Sequence, residues 1–162
     1  MTSPAHLKVL RQIHERLAGS GIRWCLTGSL ALALQGVPVE VHDVDLKSDQ
    51  AGVYEMERLF AEYVARRVEF SAKDAIRSHL GALAIDGIKV EIMGDVQTRQ
   101  ADGGWSDATG WQAHVRTVTV EGMEVPVVSL EYEYRSYLAM GRADKVELLR
   151  RWMPLENGEP AA

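Results

Sequence analysis

The sequence predicts an α/β fold: a mixed β-sheet flanked by helices, with a short helical segment at the C-terminal end. Three observations carry this. Apolar runs of strand length alternate with stretches whose apolar residues recur at helical spacing. Two pairs of strand-like runs are joined by tight-turn dipeptides, Asp86-Gly87 and Glu121-Gly122. The residues after Ser129 carry a helix start and helix formers. With 162 residues, 46% hydrophobic and 25% charged, the chain has the composition of one soluble globular domain, read as a core over 1–128, C-terminal helices over 129–153 and a tail over 154–162.

The elements follow in order. Ser3-Pro4 opens an amphipathic helix with Leu7, Leu10, Ile13 and Leu17 on one stripe, ended by Gly19-Ser20-Gly21. Trp24 to Thr27 is a short buried strand entering the Gly28-Ser29 turn, and Leu30 to Gln35 carries helix formers up to Gly36. Val41 to Leu46 alternates as a strand, Lys47 to Gly52 is a polar turn, and Val53, Met56, Leu59, Phe60 and Tyr63 mark a helix closed by Arg66-Arg67. A strand at Val68 to Phe70, a polar stretch with Lys73 and Arg77, and the Asp86-Gly87 hairpin come next. Gly94 to Gln112 has no period and reads as a long loop, which two tryptophans, Trp105 and Trp111, keep from reading as disorder. Arg116 to Val120 and Met123 to Val128 form a second hairpin, with Pro126 confining the latter strand to an edge or to its own end. Ser129 caps a helix with Tyr134, Leu138 and Met140 as buried candidates, and Gly141 breaks it before a last helix through Trp152.

Charge and cysteine content narrow the function. A net charge of -5 argues against an extended nucleic-acid partner, which needs a basic face to neutralise phosphates. The single cysteine, Cys25, leaves no internal disulfide and reads as a small core residue. No apolar run approaches a membrane span and no secretory leader is visible, so the expected compartment is the cytoplasm. His42 reads as a packing or hydrogen-bonding residue, and His79 and His114 have no metal-ligand spacing.

The chemistry-bearing pattern is Gly28-Ser29 followed by Asp43-Val44-Asp45. At a strand end opening a helix, backbone N–H groups of Gly28-Ser29 face an anion, Gly28 lets the backbone approach, and Ser29 has a hydroxyl to donate to phosphate. On a strand, Asp43 and Asp45 share a face, giving two hard oxygen ligands for Mg²⁺. Either half alone has an ordinary reading, a tight turn or a solvated edge strand. Together, over Ile22 to Ser48, they resemble the signature of the polymerase-β-like nucleotidyltransferase superfamily. That resemblance implies a third carboxylate from a later strand. Ile88, Val90 and Ile92 point one way and leave Glu91 on the other face, while Asp86 belongs to the hairpin turn and Asp95 to the following loop. Glu91 is therefore the third carboxylate, with a solvent-facing glutamate as the alternative.

Asp102-Gly103-Gly104-Trp105, the run from Val125 to Glu131, and Gly141-Arg142 are similar to the small lincosamide- and aminoglycoside-type nucleotidyltransferases and their stand-alone relatives. The resemblance implies a nucleotidyltransferase fold and transfer of a nucleoside monophosphate, AMP, from an NTP (ATP) at a two-metal Mg²⁺ site to a hydroxyl of a small molecule such as an antibiotic. Asp43, Asp45 and Glu91 would hold the metals, with Glu91 also able to accept the acceptor's proton. Lys47 meets phosphate or solvent. Arg142 and Lys145 are implied as basic contacts to nucleotide or acceptor, although their order departs from the Lys-Asp order of the wider superfamily. Trp105 either walls the acceptor pocket or anchors the core. Only residues 130–162 follow Ser129, too few for the large second domain of many relatives. The acceptor cleft is then built by the tryptophan loop or by a second subunit, which allows a homodimer. Two other functions compete: a toxin-like transferase acting on tRNA or protein, disfavoured by the acidic charge, and a non-catalytic nucleotide-binding regulatory module, which would not need Glu91.

Overall fold

A computed structural model describes residues 2–153 in full and the backbone of 155–156 and 159–160. The tail read over 154–162 lies outside the fully described residues. Helix α1 (Pro4–Leu17) starts where the Ser3 hydroxyl accepts the His6 amide at 3.2 Å, and it buries Val9, Leu10, Ile13 and Leu17. The chain then runs through β1 (Trp24–Thr27), α2 (Gly28–Leu34), β2 (Val44–Ser48), α3 (Gln50–Leu59), β3 (Val64–Ala72), β4 (Ile76–Ile85) and β5 (Ile88–Thr98). It closes with β6 (Val115–Val120), β7 (Met123–Val128), α4 (Leu130–Met140) and α5 (Ala143–Trp152).

Seven strands form one mixed sheet in the order β3-β4-β5-β2-β1-β7-β6. The neighbours β2/β5 and β1/β7 are parallel, and the other pairs are antiparallel. One face carries Leu26, Leu46, Leu83, Val90, Ile92 and Val127 into the main core, where α1, α2 and α3 cover them with residues such as Leu10, Leu30 and Met56. Each of these fully buried side chains contributes about 1.5–3 kcal/mol. The other side of α2 joins α4 and α5 in a second cluster around Leu32, Tyr134, Tyr137 and Leu149. Helix α4 thereby hangs over the sheet face opposite the main core.

Several expectations are corrected. The strand expected from Val41 begins only at Val44, and Asp43 occupies the bend just before β2, where β1 on one side has already given way to α2 after Thr27. The polar turn expected at 47–52 is the end of β2 and the start of α3, whose cap Asp49 accepts the Gly52 amide at 2.6 Å. Arg66 and Arg67 do not close a helix: α3 ends at Leu59, and both arginines lie in β3, a sheet edge whose charges face water. The loop expected from Gly94 starts later, since β5 continues to Thr98 through a bulge at Asp95 (φ 51°), whose carboxylate accepts the Gln50 amide at 3.0 Å. Pro126 does not put β7 at an edge: β7 lies between β6 and β1, and its pairing with β1 is confined to Leu26–Val127. Leu138 is 49% exposed, and Leu130 and Tyr137 take the buried positions of α4 instead.

Candidate active site

Strand alternation and register assemble the site. Thr27 of β1 stands opposite Asp45 of β2, which stands opposite Glu91 of β5. One step along, Cys25, Lys47 and Met93 form a parallel row. Both rows lie on the face away from the main core because Leu26, Leu46, Val90 and Ile92 alternate with them into it. The sheet thus brings Asp45 and Glu91 side by side from strands far apart in sequence.

Gly28 sits between β1 and α2 at φ +72°, and a Cβ there would collide with Asp45 Oδ2. Backbone conformation and close approach both demand glycine. We expect Gly28→Ala to cost at least about 1–2 kcal/mol of stability, from the left-handed backbone alone, and to displace the Asp45 carboxylate. Thermal melting combined with a turnover assay checks both parts. Ser29 follows in the first turn of α2, half-buried.

The Asp45 carboxyl is pushed up to about 7, first by burial and then by Glu91, Asp43 and Glu133, with Lys89 opposing. Four carboxylates therefore share one neighbourhood. Glu91 is half-buried and its Oε1 lies 3.3 Å from Lys89 Nζ. Among the described residues, no three His, Cys, Asp or Glu side chains form a ready-made metal centre.

Two hollows flank the Asp45–Glu91 pair. A cleft of about 280 Å³ between sheet and α4 is lined by Thr27, Gly28, Asp45, Lys47, Glu133 and Arg142, among others. A second hollow, of about 350 Å³, holds Glu91 and Lys89 above Leu80, Ala82 and Ala84, with Arg66 at its rim.

Lys47 is not a solvated lysine: it is buried in the cleft, with Nζ 5.2 Å from the Tyr132 ring centroid. Arg142 also reaches the cleft, next to Asp144 at 3.4 Å. Lys145, on α5, is not among the cleft-lining residues. Trp105 is likewise absent from both hollows. Its indole lies between the guanidiniums of Arg77 and Arg99, each 4.4 Å from the ring centroid, and it is Trp111 that anchors the core. Trp105→Ala should accordingly lower stability by about 1–2 kcal/mol, two surface cation–π contacts, and leave the Michaelis constants of both substrates unchanged, as melting and steady-state kinetics will read.

Cys25 is fully buried, and burial pushes its thiol up to about 12, so it is a core residue with no nucleophilic role. The His42 side chain is 71% exposed and does not pack; its carbonyl accepts a hydrogen bond from His6 Nε2 at 2.9 Å. His79 meets Phe70 and Tyr54 edge-on, and His114 packs at a tilt against Tyr132.

One residue of the site escaped the sequence reading. Glu133 of α4 is buried and accepts a hydrogen bond from the Thr27 hydroxyl. The signal was present: Leu130, Glu133, Tyr134 and Tyr137 fall at i, i+3, i+4 and i+7, so a carboxylate stands inside an apolar helical stripe.

A glycine turn packed against one of two neighbouring carboxylates, on a mixed sheet with helices, is here the centre of a nucleotidyltransferase, as the family match shows. The chain belongs to the aminoglycoside-2″-adenylyltransferase family, whose sequence model matches residues 9–150. It is 53% identical to a candidate nucleotidyltransferase from Thermotoga maritima, with 94% of each chain covered and a TM-score of 0.83. The fold is shared at lower identity with ANT(2″)-Ia in complex with adenylyl-2″-tobramycin (13% identity, 91% of this chain and 89% of that one, TM-score 0.58). It is shared also with the lincosamide antibiotic adenylyltransferase LnuA bound to lincomycin (12% identity, 88% and 94%, TM-score 0.56). No curated protein matches the chain. No helix among the described residues is long and apolar enough to cross a membrane.

Proposed function

We propose that the protein transfers AMP from Mg-bound ATP to a hydroxyl of a small molecule, with an antibiotic as the leading acceptor class. The observation that carries this is the Thr27–Asp45–Glu91 row with Gly28 packed against Asp45. The family's adenylyl-transferring character supports AMP as the transferred group. A cytoplasmic setting, where ATP and Mg²⁺ are supplied, suits the reading.

The donor set fits Mg²⁺. Asp43 and Asp45 offer only oxygen, and Mg²⁺ is commonly held by one or two carboxylates with substrate phosphate and water completing the shell. Burial first, and then the neighbouring carboxylates, raise the Asp45 carboxyl, and a bound cation would offset both. Asp43, Asp45 and Glu91 would hold the metal, which supplies charge stabilisation of the entering and leaving oxygens. Gly28 and Ser29 receive the outer phosphates with backbone N–H and hydroxyl donors. Lys47, already desolvated in the cleft, places a positive charge among them, and Arg142 adds another at the rim. The acceptor enters the second hollow, where Glu91 can take its hydroxyl proton while Leu80, Ala82 and Ala84 form an apolar floor. The tryptophan loop is not needed for this wall.

Calorimetric titration with Mg-ATP tests the metal and nucleotide half of the proposal. Asp43→Asn and Asp45→Asn should each lose most Mg-dependent affinity while the fold survives, and unchanged binding in both would remove the assignment.

A further inference from the structure

The nucleotidyl-transfer reading gives no role to Glu133, a carboxylate only 3% exposed in a cleft meant for a polyanion. A carboxyl group buried here loses its hydration and needs hydrogen-bonding partners in return. Its surroundings identify one. Glu133 accepts from the hydroxyl of Thr27, the residue immediately before Gly28, and stands one turn before Tyr137 on the buried stripe of α4. Thr27 has no capping bond to α2, so its hydroxyl is committed to Glu133. Gly28 in turn packs its Cα against the Asp45 carboxylate. Glu133, Thr27, Gly28 and Asp45 thus form a contiguous chain from α4 to the carboxylate pair. Helix α4 makes few other contacts with the strands of the site, being held mainly by α5 and by the cluster around Leu32.

We infer that Glu133 is a positioning residue for the transfer reaction: through the Thr27 hydroxyl it fixes the Gly28 backbone against Asp45, so that the phosphate-receiving turn and the carboxylates keep one geometry. The inference rests on the proposed nucleotide site and adds to it the element that holds it in place. Orientation of this kind is worth a large factor, because displacements of about 1 Å in a preorganised site can cost roughly 10²-fold.

The test is a calorimetric titration of wild type, Thr27→Ser, Thr27→Val, Glu133→Gln and the Thr27→Val/Glu133→Gln double variant. The probe is Mg²⁺ with the α,β-methylene analogue of ATP, which cannot release pyrophosphate, and each variant is also melted without ligand. Thr27→Val and Glu133→Gln should each raise the Kd roughly tenfold or more, as expected for loss of a hydrogen bond to a charged group. Thr27→Ser, which keeps the hydroxyl, should bind like wild type. The double variant should be no weaker than the worse single one, since both break the same link. Wild-type Kd in the folded single variants, whatever their melting temperatures, overturns the inference, as does a Thr27→Ser variant as weak as Thr27→Val. If Glu133→Gln does not fold, the Ser and Val variants at Thr27 decide the matter by themselves. Failure of the wild type to bind the Mg-bound analogue overturns the proposed function and this inference with it, whereas wild-type binding with unchanged variants overturns the inference alone.

Discussion

Asp45→Asn is expected to lower turnover by at least roughly 10²–10³-fold, the scale of removing one fixed electrostatic stabiliser from a site, while making the metal-free protein more stable. The two effects have one origin. Burial and the neighbouring carboxylates Glu91, Asp43 and Glu133 raise the Asp45 carboxyl to about 7, against an unfolded value near 3.9. Between about pH 4 and 7 the folded state therefore holds a proton that the unfolded chain has released. Stability attributable to this group falls as pH rises through that window, and the full penalty, about 4 kcal/mol, is present above pH 7. Asn carries no such penalty. In EDTA at pH 8 the variant should melt well above wild type, and the gap should close as the pH is lowered toward 4. Adding Mg²⁺ and nucleotide should raise the wild-type melting temperature and leave the variant nearly unmoved, by mass action on the state that binds. Equal melting curves at pH 8 would show that the Asp45 carboxylate is not strained by its neighbours.

Glu91→Gln is expected to lower turnover by roughly 10²–10⁴-fold, the range associated with losing a general base, while changing nucleotide affinity much less. The distinction follows from position. Asp45 faces the cleft shared with Gly28 and Lys47, whereas Glu91 opens onto the second hollow beside Lys89. A near-normal turnover in Glu91→Gln would leave the acceptor's proton to another group. A nucleotide affinity lowered as much as turnover would make Glu91 chiefly a metal ligand.

The parts of the site that were legible in the sequence are those governed by strand alternation. Asp45 and Glu91 stand in the middle of alternating apolar runs, and Val44, Leu46, Val90 and Ile92 turned inward leave only one direction for them. Lys47 shares that direction, but whether it was buried depended on α4 overhead, which the local pattern does not reveal. Caps and turns were equally readable: Ser3, Ser129, Asp86-Gly87 and Gly141 carry local hydrogen-bond or left-handed backbone chemistry. What failed depends on distant partners. Asp43 falls outside its expected strand, at the point where β1 on one side turns into a helix, and β5 outran its apolar pattern because β4 offers backbone partners up to Thr98. The tryptophan loop has no period because it is ordered by contacts such as the Arg77–Trp105–Arg99 stack. Glu133 sits in the first turn of α4, where the helix dipole favours any acidic side chain, so only its apolar neighbours at Leu130, Tyr134 and Tyr137 distinguish it.

The central claim is that this site moves a nucleoside monophosphate, and following the α-phosphate tests it most directly. The protein is incubated with Mg²⁺, ATP labelled at the α-phosphate and a panel of hydroxyl-bearing small molecules, including lincosamides and aminoglycosides, and products are read by mass spectrometry. The account predicts label in an acceptor heavier by one AMP, pyrophosphate in equal amount, and loss of both with EDTA or with Asp45→Asn. Label that stays in ATP or appears as ADP across the whole panel, in protein that binds Mg-ATP, would contradict it.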